Sequence, residues 1–265
     1  NLITKPITLN IGKKSGVFDN DGVIEDINLT TITERKKHSM VEIGTNIYIF
    51  GGIDSVSYLN DFYKIDTTNN TATEITSNGF DDTISTRVSH SMVAIDTDIY
   101  IYGGYNRSSK KDLNDFYKID TTTCNVTEIT SNGFGDTIIE RDRHSMVAID
   151  TDIYIYGGYN LSNSRYLNDF YKIYTINCNV VYSDDSLNNI IERDSHSMVA
   201  IDGDIYIYGG LSWNGDALNN FYKITGYDSY FTGDIADLRL YNYSNADITT
   251  IYSFLYDSIQ ETVED

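Results

Sequence analysis

The chain has 265 residues, with 39 acidic against 19 basic side chains and a formal net charge of −20. That charge repels phosphate backbones and anionic lipid headgroups, so a nucleic-acid partner is not expected. No run of 18 uncharged apolar residues occurs, so no membrane-inserted helix is expected either. The chain opens on Asn1 with no basic-then-apolar leader, as expected of a processed, trimmed or partial chain.

From the N-terminus, Ile7–Ile11 and Val23–Leu29 read as strands. They precede four copies of one unit: Arg, two residues, His-Ser-Met, an apolar hairpin, Gly-Gly, then Leu-Asn-Asp/Asn-Phe-Tyr-Lys-Ile. Its histidines, His38, His90, His144 and His196, are spaced 52, 54 and 52 residues apart. A period near 50 marks a repeat architecture whose units bury their apolar faces against one another. The units run about 35–86, 87–140, 141–192 and 193–226. His90–Asn106 and His144–Asn160 are identical at all 17 positions, which is the mark of scaffold.

Unit two shows the local logic. Ser91–Ile95 and Ile99–Tyr102 are short, continuous apolar runs joined by an Asp96-Thr97-Asp98 turn, as for strands covered on both faces. Phe116–Ile119 is a more polar third strand, and Val126–Ile129 a fourth. Four antiparallel strands with buried inner members describe a propeller blade. The double glycine allows positive φ and close approach of a neighbouring backbone.

After unit four, Asp234–Leu240 reads as a strand. An amphipathic helix follows, with Ile248, Ile251, Tyr252, Leu255 and Ile259 as its stripe and Ser244 and Asp247 as a capping box. The two ends share a pattern, Gly22-x-Ile24-x-Asp26-Ile27-x-Leu29 and Gly233-x-Ile235-x-Asp237-Leu238-x-Leu240.

The Gly-Gly after the second strand, the Leu-x-Asp before an aromatic third strand and the Arg-x-x-His before the first strand resemble the kelch family over about residues 35–224. The tryptophan that family places on the fourth strand is Ala72, Val126 and Val180 here, and the extra second-strand tyrosines are available to fill its volume. The C-terminal copy of the end pattern resembles the closing segment of concanavalin-like (laminin-G-like) jelly-roll domains. The resulting expectation is an all-β, kelch-type β-propeller of four blades, plus a fifth built from both termini (1–34 and 227–265) and a short C-terminal α-helix. Remnants of a jelly roll interrupted by kelch units are the alternative for the ends. The composite blade is favoured because unit four lacks a clear fourth strand.

In such a blade the second-to-third and fourth-to-first loops open on one face. These loops hold 11 basic and 13 acidic residues, leaving 8 and 26 for the rest of the chain. The loop face is therefore near neutral, and it is rich in the residue types that anchor interfaces. The candidate binding residues are Trp213, Tyr105, Arg107, Tyr159, Arg165, Tyr166 and Tyr58 in the loops, with Arg35, Arg87, Arg141 and Arg193 beside them. No catalytic residue, metal site or cofactor is expected. Four histidines around an open channel do not converge to ligand distance. The Asp-x-Asp turns (Asp96/Asp98, Asp150/Asp152, Asp202/Asp204) offer too few oxygens for calcium. Cys124 and Cys178 occupy like positions on different blades, too far apart for a bridge. Six Asn-x-Ser/Thr sequons, at Asn28, Asn69, Asn106, Asn125, Asn160 and Asn242, are about what an Asn-, Ser- and Thr-rich chain gives by chance.

The expected function is a non-catalytic interaction module binding a protein partner through the loop face. Glycan binding or adhesion at a cell or particle surface is the first alternative, and a propeller oxidase or hydrolase the second. The compartment stays open, with a lean to an extracellular or particle surface.

Overall fold

The computed structural model of the chain describes residues 27, 29–76, 83–130, 137–182 and 190–225. Blade one comprises β1 (Ser39–Ile43), β2 (Asn46–Ile53), β3 (Tyr58–Asp66) and β4 (Thr71–Glu74), antiparallel in that order. Blade two orders β5 (Ser91–Ile95), β6 (Asp98–Tyr102), β9 (Phe116–Asp120) and β10 (Asn125–Glu128). Its second-to-third loop is a small ribbon, β7 (Tyr105–Asn106) with β8 (Lys111–Asp112). Blade three is β11 (Ser145–Ile149), β12 (Asp152–Asn160), β13 (Arg165–Tyr174) and β14 (Asn179–Tyr182); blade four shows β15 (Ser197–Ile201), β16 (Asp204–Tyr208) and β17 (Phe221–Ile224). The inner strands β1, β5, β11 and β15 follow one another around a common axis, which is a propeller arrangement.

The turns sit where the sequence has residues that tolerate left-handed backbone. Asp96, Asp150 and Asp202 have φ of 53°, 50° and 51° at the first hairpin, and Asn70, Cys124 and Cys178 have 57°, 57° and 56° at the last. The second aspartate of each Asp-x-Asp turn holds the third strand: Asp98 to Lys118 at 2.7 Å, Asp152 to Lys172 at 2.8 Å and Asp204 to Lys223 at 2.6 Å. Neither cysteine is in a disulfide.

Each joint between blades repeats one set of contacts. Val93, Ile95, Tyr100, Tyr102 and Phe116 of blade two pack on Met146, Ile153, Ile155, Tyr171 and Ile173 of blade three, with Val180 at the fourth-strand position. Blade one meets blade two, and blade three meets blade four, in the same way. Rings of His90, His144 and His196 stand edge-on to Phe50, Tyr102 and Tyr156 of the preceding blade, each at 5.2 Å. Ser39, Ser91 and Ser145 donate their hydroxyls to the carbonyls of those histidines at 2.6, 2.8 and 2.7 Å. The first glycine of each pair is required here. A Cβ on Gly103, at φ +61°, would lie 2.8 Å from Arg141 O and 3.0 Å from the His144 ring.

Apolar side chains of the first and fourth blades are exposed. Val199, Ile201, Tyr208 and Phe221 are 52–66% exposed on blade four, and Met40 is 58% exposed on blade one. The strands expected at 7–11 and 234–240, the C-terminal helix and the jelly-roll-like segment lie outside the described residues. So do residues 23–26 of the strand expected at 23–29; Ile27 and Leu29 at its end have no strand structure.

Candidate binding site at the loop face

The two residues between each Arg and His form the inner rim of the loop face. The second of each pair, Lys37, Ser89, Arg143 and Ser195, has a left-handed backbone with φ of 59°, 55°, 56° and 54°. Their peptides link around the axis: Ser89 N–H donates to Lys37 O at 3.0 Å, Arg143 N–H to Ser89 O at 2.9 Å and Ser195 N–H to Arg143 O at 2.9 Å. The first of each pair bridges to the residue after Gly-Gly: Lys36 to Ile53, Val88 to Tyr105, Asp142 to Tyr159 and Asp194 to Leu211. A chain of backbone hydrogen bonds across the four blades thus presents the side chains of these pairs at the mouth of the axis.

Blades one to three close around a cleft of about 290 Å³ at this mouth, lined by Tyr58, Tyr105, Tyr159, Asp112, Asp142 and Arg143, with Lys37, Val88 and Leu161 beside them. Arg143 ties the rim together. Its Nε lies 3.0 and 3.1 Å from the two Asp142 oxygens, its Nη1 pairs with Asp194 Oδ2 at 2.6 Å, and its guanidinium covers Tyr159 at 4.7 Å. Burial raises the Asp142 and Asp194 carboxyls above the usual range, against the pull of Arg143. Asp112 accepts from Leu161 N–H at 2.6 Å, and burial pushes its carboxyl up to about 6.

A second cleft of about 330 Å³ lies between the loops of blades three and four and is lined by Arg165, Tyr166, Glu192 and Trp213, with Ser164 and Asn168. The Tyr159 and Tyr166 rings, 5.2 Å apart and edge to face, stand between the two clefts. Trp213 is 70% exposed. Of the loop residues singled out in the sequence, Tyr58, Tyr105 and Tyr159 meet in the first cleft, and Arg165, Tyr166 and Trp213 in the second. Arg107 is exposed and lines neither.

The arginines of Arg-x-x-His correct the sequence reading. Arg87, Arg141 and Arg193 are fully buried, and the Arg35 side chain is 4% exposed. Arg87 reaches both oxygens of Asp115 at 2.7 Å, and Arg141 those of Asp169 at 2.6 and 2.8 Å. Arg35 grips Asp61 at 2.6 and 2.8 Å, and all four donate to the carbonyl of a first glycine. They hold the blade's rim to its third strand and offer no surface to a partner. The histidines are equally committed. Burial, with the adjacent arginines, holds His90 and His144 well below the ordinary imidazole range and takes His196 down to about 3. Two sequon asparagines also work internally. Asn106 and Asn160 donate to Thr86 O at 2.9 Å and Glu140 O at 2.7 Å while their Oδ1 atoms cap the loop turns.

Sequence reasoning missed Lys37, Asp112, Asp142, Arg143 and Leu161. The available signal for Lys37, Asp142 and Arg143 was that the pair inside an otherwise repeated Arg-x-x-His is Lys-Lys, Val-Ser, Asp-Arg and Asp-Ser, never the same pair twice.

The pattern described as the KLHDC2/KLHL20/DRC7 Kelch-repeats domain matches residues 89–229, and the Kelch motif matches residues 34–76. The chain belongs to the kelch-repeat family. Among curated kelch relatives, Kelch domain-containing protein 3 of Homo sapiens is 28% identical over 190 residues, 67% of this chain and 48% of that protein. Host cell factor of Drosophila melanogaster is 24% identical over 281 residues, 92% of this chain and 18% of that protein. The N-(sulfonatooxy)prop-2-enimidothioate sulfolyase of Thlaspi arvense is 33% identical over 130 residues, 47% of this chain and 35% of that protein. The chain thus spans at most about half the length of these kelch relatives.

Proposed function

We propose that this kelch propeller is a non-catalytic interaction module that binds a protein partner at the mouth of its loop face. One observation carries the reading: Lys37, Asp112 and Arg143, which have no identical counterpart in the other units, converge on one cleft of blades one to three with the tyrosines Tyr58, Tyr105 and Tyr159, whereas the residues shared by all units are largely buried in the joints. Variable loops on a rigid scaffold are the usual place for recognition. Tyrosines give rigid contact area with a polar tip, and the cleft is concave enough to desolvate an anchoring side chain. The kelch relatives support an interaction role in general terms, and the identity of the partner is not implied by any of them.

Affinity capture from a cell extract tests the reading, comparing the parent with Tyr105→Ala, Tyr159→Ala and, on the opposite face, Asp96→Ala. A protein retained by the parent and by Asp96→Ala but lost by both tyrosine variants supports it. Equal loss from the two faces defeats it. Retention of glycans alone on a glycan array would replace the protein partner by a carbohydrate at the same tyrosines.

A further inference from the structure

We propose that the cleft receives a cationic side chain, a lysine or arginine of the partner, against the Asp112 carboxylate and among the rings of Tyr105 and Tyr159. The proposal rests on the loop face being the protein-binding surface and names the chemistry it selects. Asp112 breaks the repeat: the equivalent positions hold Tyr58, Tyr166 and Ala217. It pairs with Tyr105 across the β7–β8 ribbon, is only 6% exposed, and yet lines the cleft. A carboxylate so buried needs either a proton or a positive partner.

Among the described residues, the hydrogen bond Asp112 accepts is from a neutral donor, Leu161 N–H. Arg143, the cation that acts on that carboxylate, is already engaged by Asp142 and Asp194. Lys37, the other cation of the cleft, bears on Asp142. Around Asp112 the balance is negative. Asp142 and Glu140 add to burial in pushing its carboxyl up, with Leu161 N–H and Arg143 pulling the other way. An incoming ammonium or guanidinium neutralises that surplus, and the aromatic faces of the same cleft attract it further. An acidic or purely apolar side chain would leave Asp112 buried without a counterion.

The test uses the full chain and three capped peptides, acetyl-Gly-X-Gly-amide with X as lysine, arginine or norleucine, followed through the tyrosine ring signals by NMR. The lysine and arginine peptides are expected to bind at least tenfold tighter than the norleucine peptide. Asp112→Asn keeps the bond from Leu161 and should abolish the difference, while Asp150→Asn leaves it intact. On the unaltered chain, binding of the cationic peptides should weaken as the pH falls through about 6, where Asp112 takes up its proton. Equal shifts from all three peptides, no cation-dependent shift up to roughly 20 mM, where a complex with a Kd of about 1 mM is nearly saturated, or tighter binding of the norleucine peptide would each overturn the proposal. A captured partner that survives Asp112→Asn but is lost with Tyr159→Ala would reject the cation while leaving the protein-binding surface standing.

Discussion

Arg193 and Asn220 are the one mismatched pair in a contact that three other blades make with full charge balance. Arg35, Arg87 and Arg141 each face an aspartate of the Leu-Asn-Asp segment, Asp61, Asp115 and Asp169, at 2.6–2.7 Å. Arg193 is as deeply buried, donates to Gly209 O at 2.8 Å, and leaves its Nη2 without a hydrogen bond, the position of the aspartate in the other blades being Asn220 here. An unpaired buried charge costs stability because its hydration is lost with no attraction in return. Asn220→Asp should therefore stabilise the protein, by on the order of 1–3 kcal/mol, read from urea melts at pH 7. Asp115→Asn, which makes the same vacancy in blade two, should cost about 3–5 kcal/mol. A destabilising Asn220→Asp would show that the rim does not need the carboxylate.

That pair also marks where the sequence could be read and where it could not. The blades were legible because the glycine pairs and apolar hairpins recur at one period, and each has a single physical use at a joint. Arg87 and Arg141 were placed on the correct face but misread as surface. An arginine that recurs with an aspartate 28 residues later, as Arg87 does with Asp115, is a pair inside the scaffold. The roles of Lys37 and Arg143 depend on a ring of left-handed residues around the axis, which spacing along one unit does not reveal. Asp112 stood inside a loop singled out for its tyrosines and arginine, and its hydrogen-bond donor, Leu161 N–H, comes from the next blade.

The glycines test the joints directly. Gly103→Ala places a Cβ 2.8 Å from Arg141 O, whereas at Gly209 the nearest atom is Leu218 O at 3.6 Å. Both substitutions carry the left-handed backbone penalty of about 1–2 kcal/mol. Only Gly103→Ala should add a further ~1–3 kcal/mol of overpacking. Equal losses in thermal melts would mean that blade four also carries a neighbour against Gly209.

Acid should unfold the propeller early. His90, His144 and His196 are neutral when folded, with pKa values depressed first by burial and then by the adjacent arginines. The unfolded chain therefore binds more protons below about 6.5, so their stabilisation is present above that pH and is lost as the pH falls. From pH 7 to 5 the three histidines lose that stabilisation together. Asp112, raised to about 6, has the opposite sign and returns about 1 kcal/mol over the same range. Denaturant melts should show falling stability from pH 7 to 5. Stability that is flat or rising would mean that these imidazoles are not held neutral.

The thiols should behave as two separate groups. Cys124 and Cys178 each sit at a left-handed turn closing the outer strand of a different blade. Alkylation after non-reducing denaturation should modify both, and a stoichiometric Cys124–Cys178 disulfide would contradict the blade order.

Photo-crosslinking from defined positions tests the binding surface most directly. A photoreactive amino acid is placed at position 105 or 159 in the cleft, or at position 96 or 150 on the opposite turns, and irradiated in cell extract. The loop-face account predicts a discrete protein adduct from positions 105 and 159 and none from 96 and 150. Adducts from the turns alone, or equally from both faces, would contradict it.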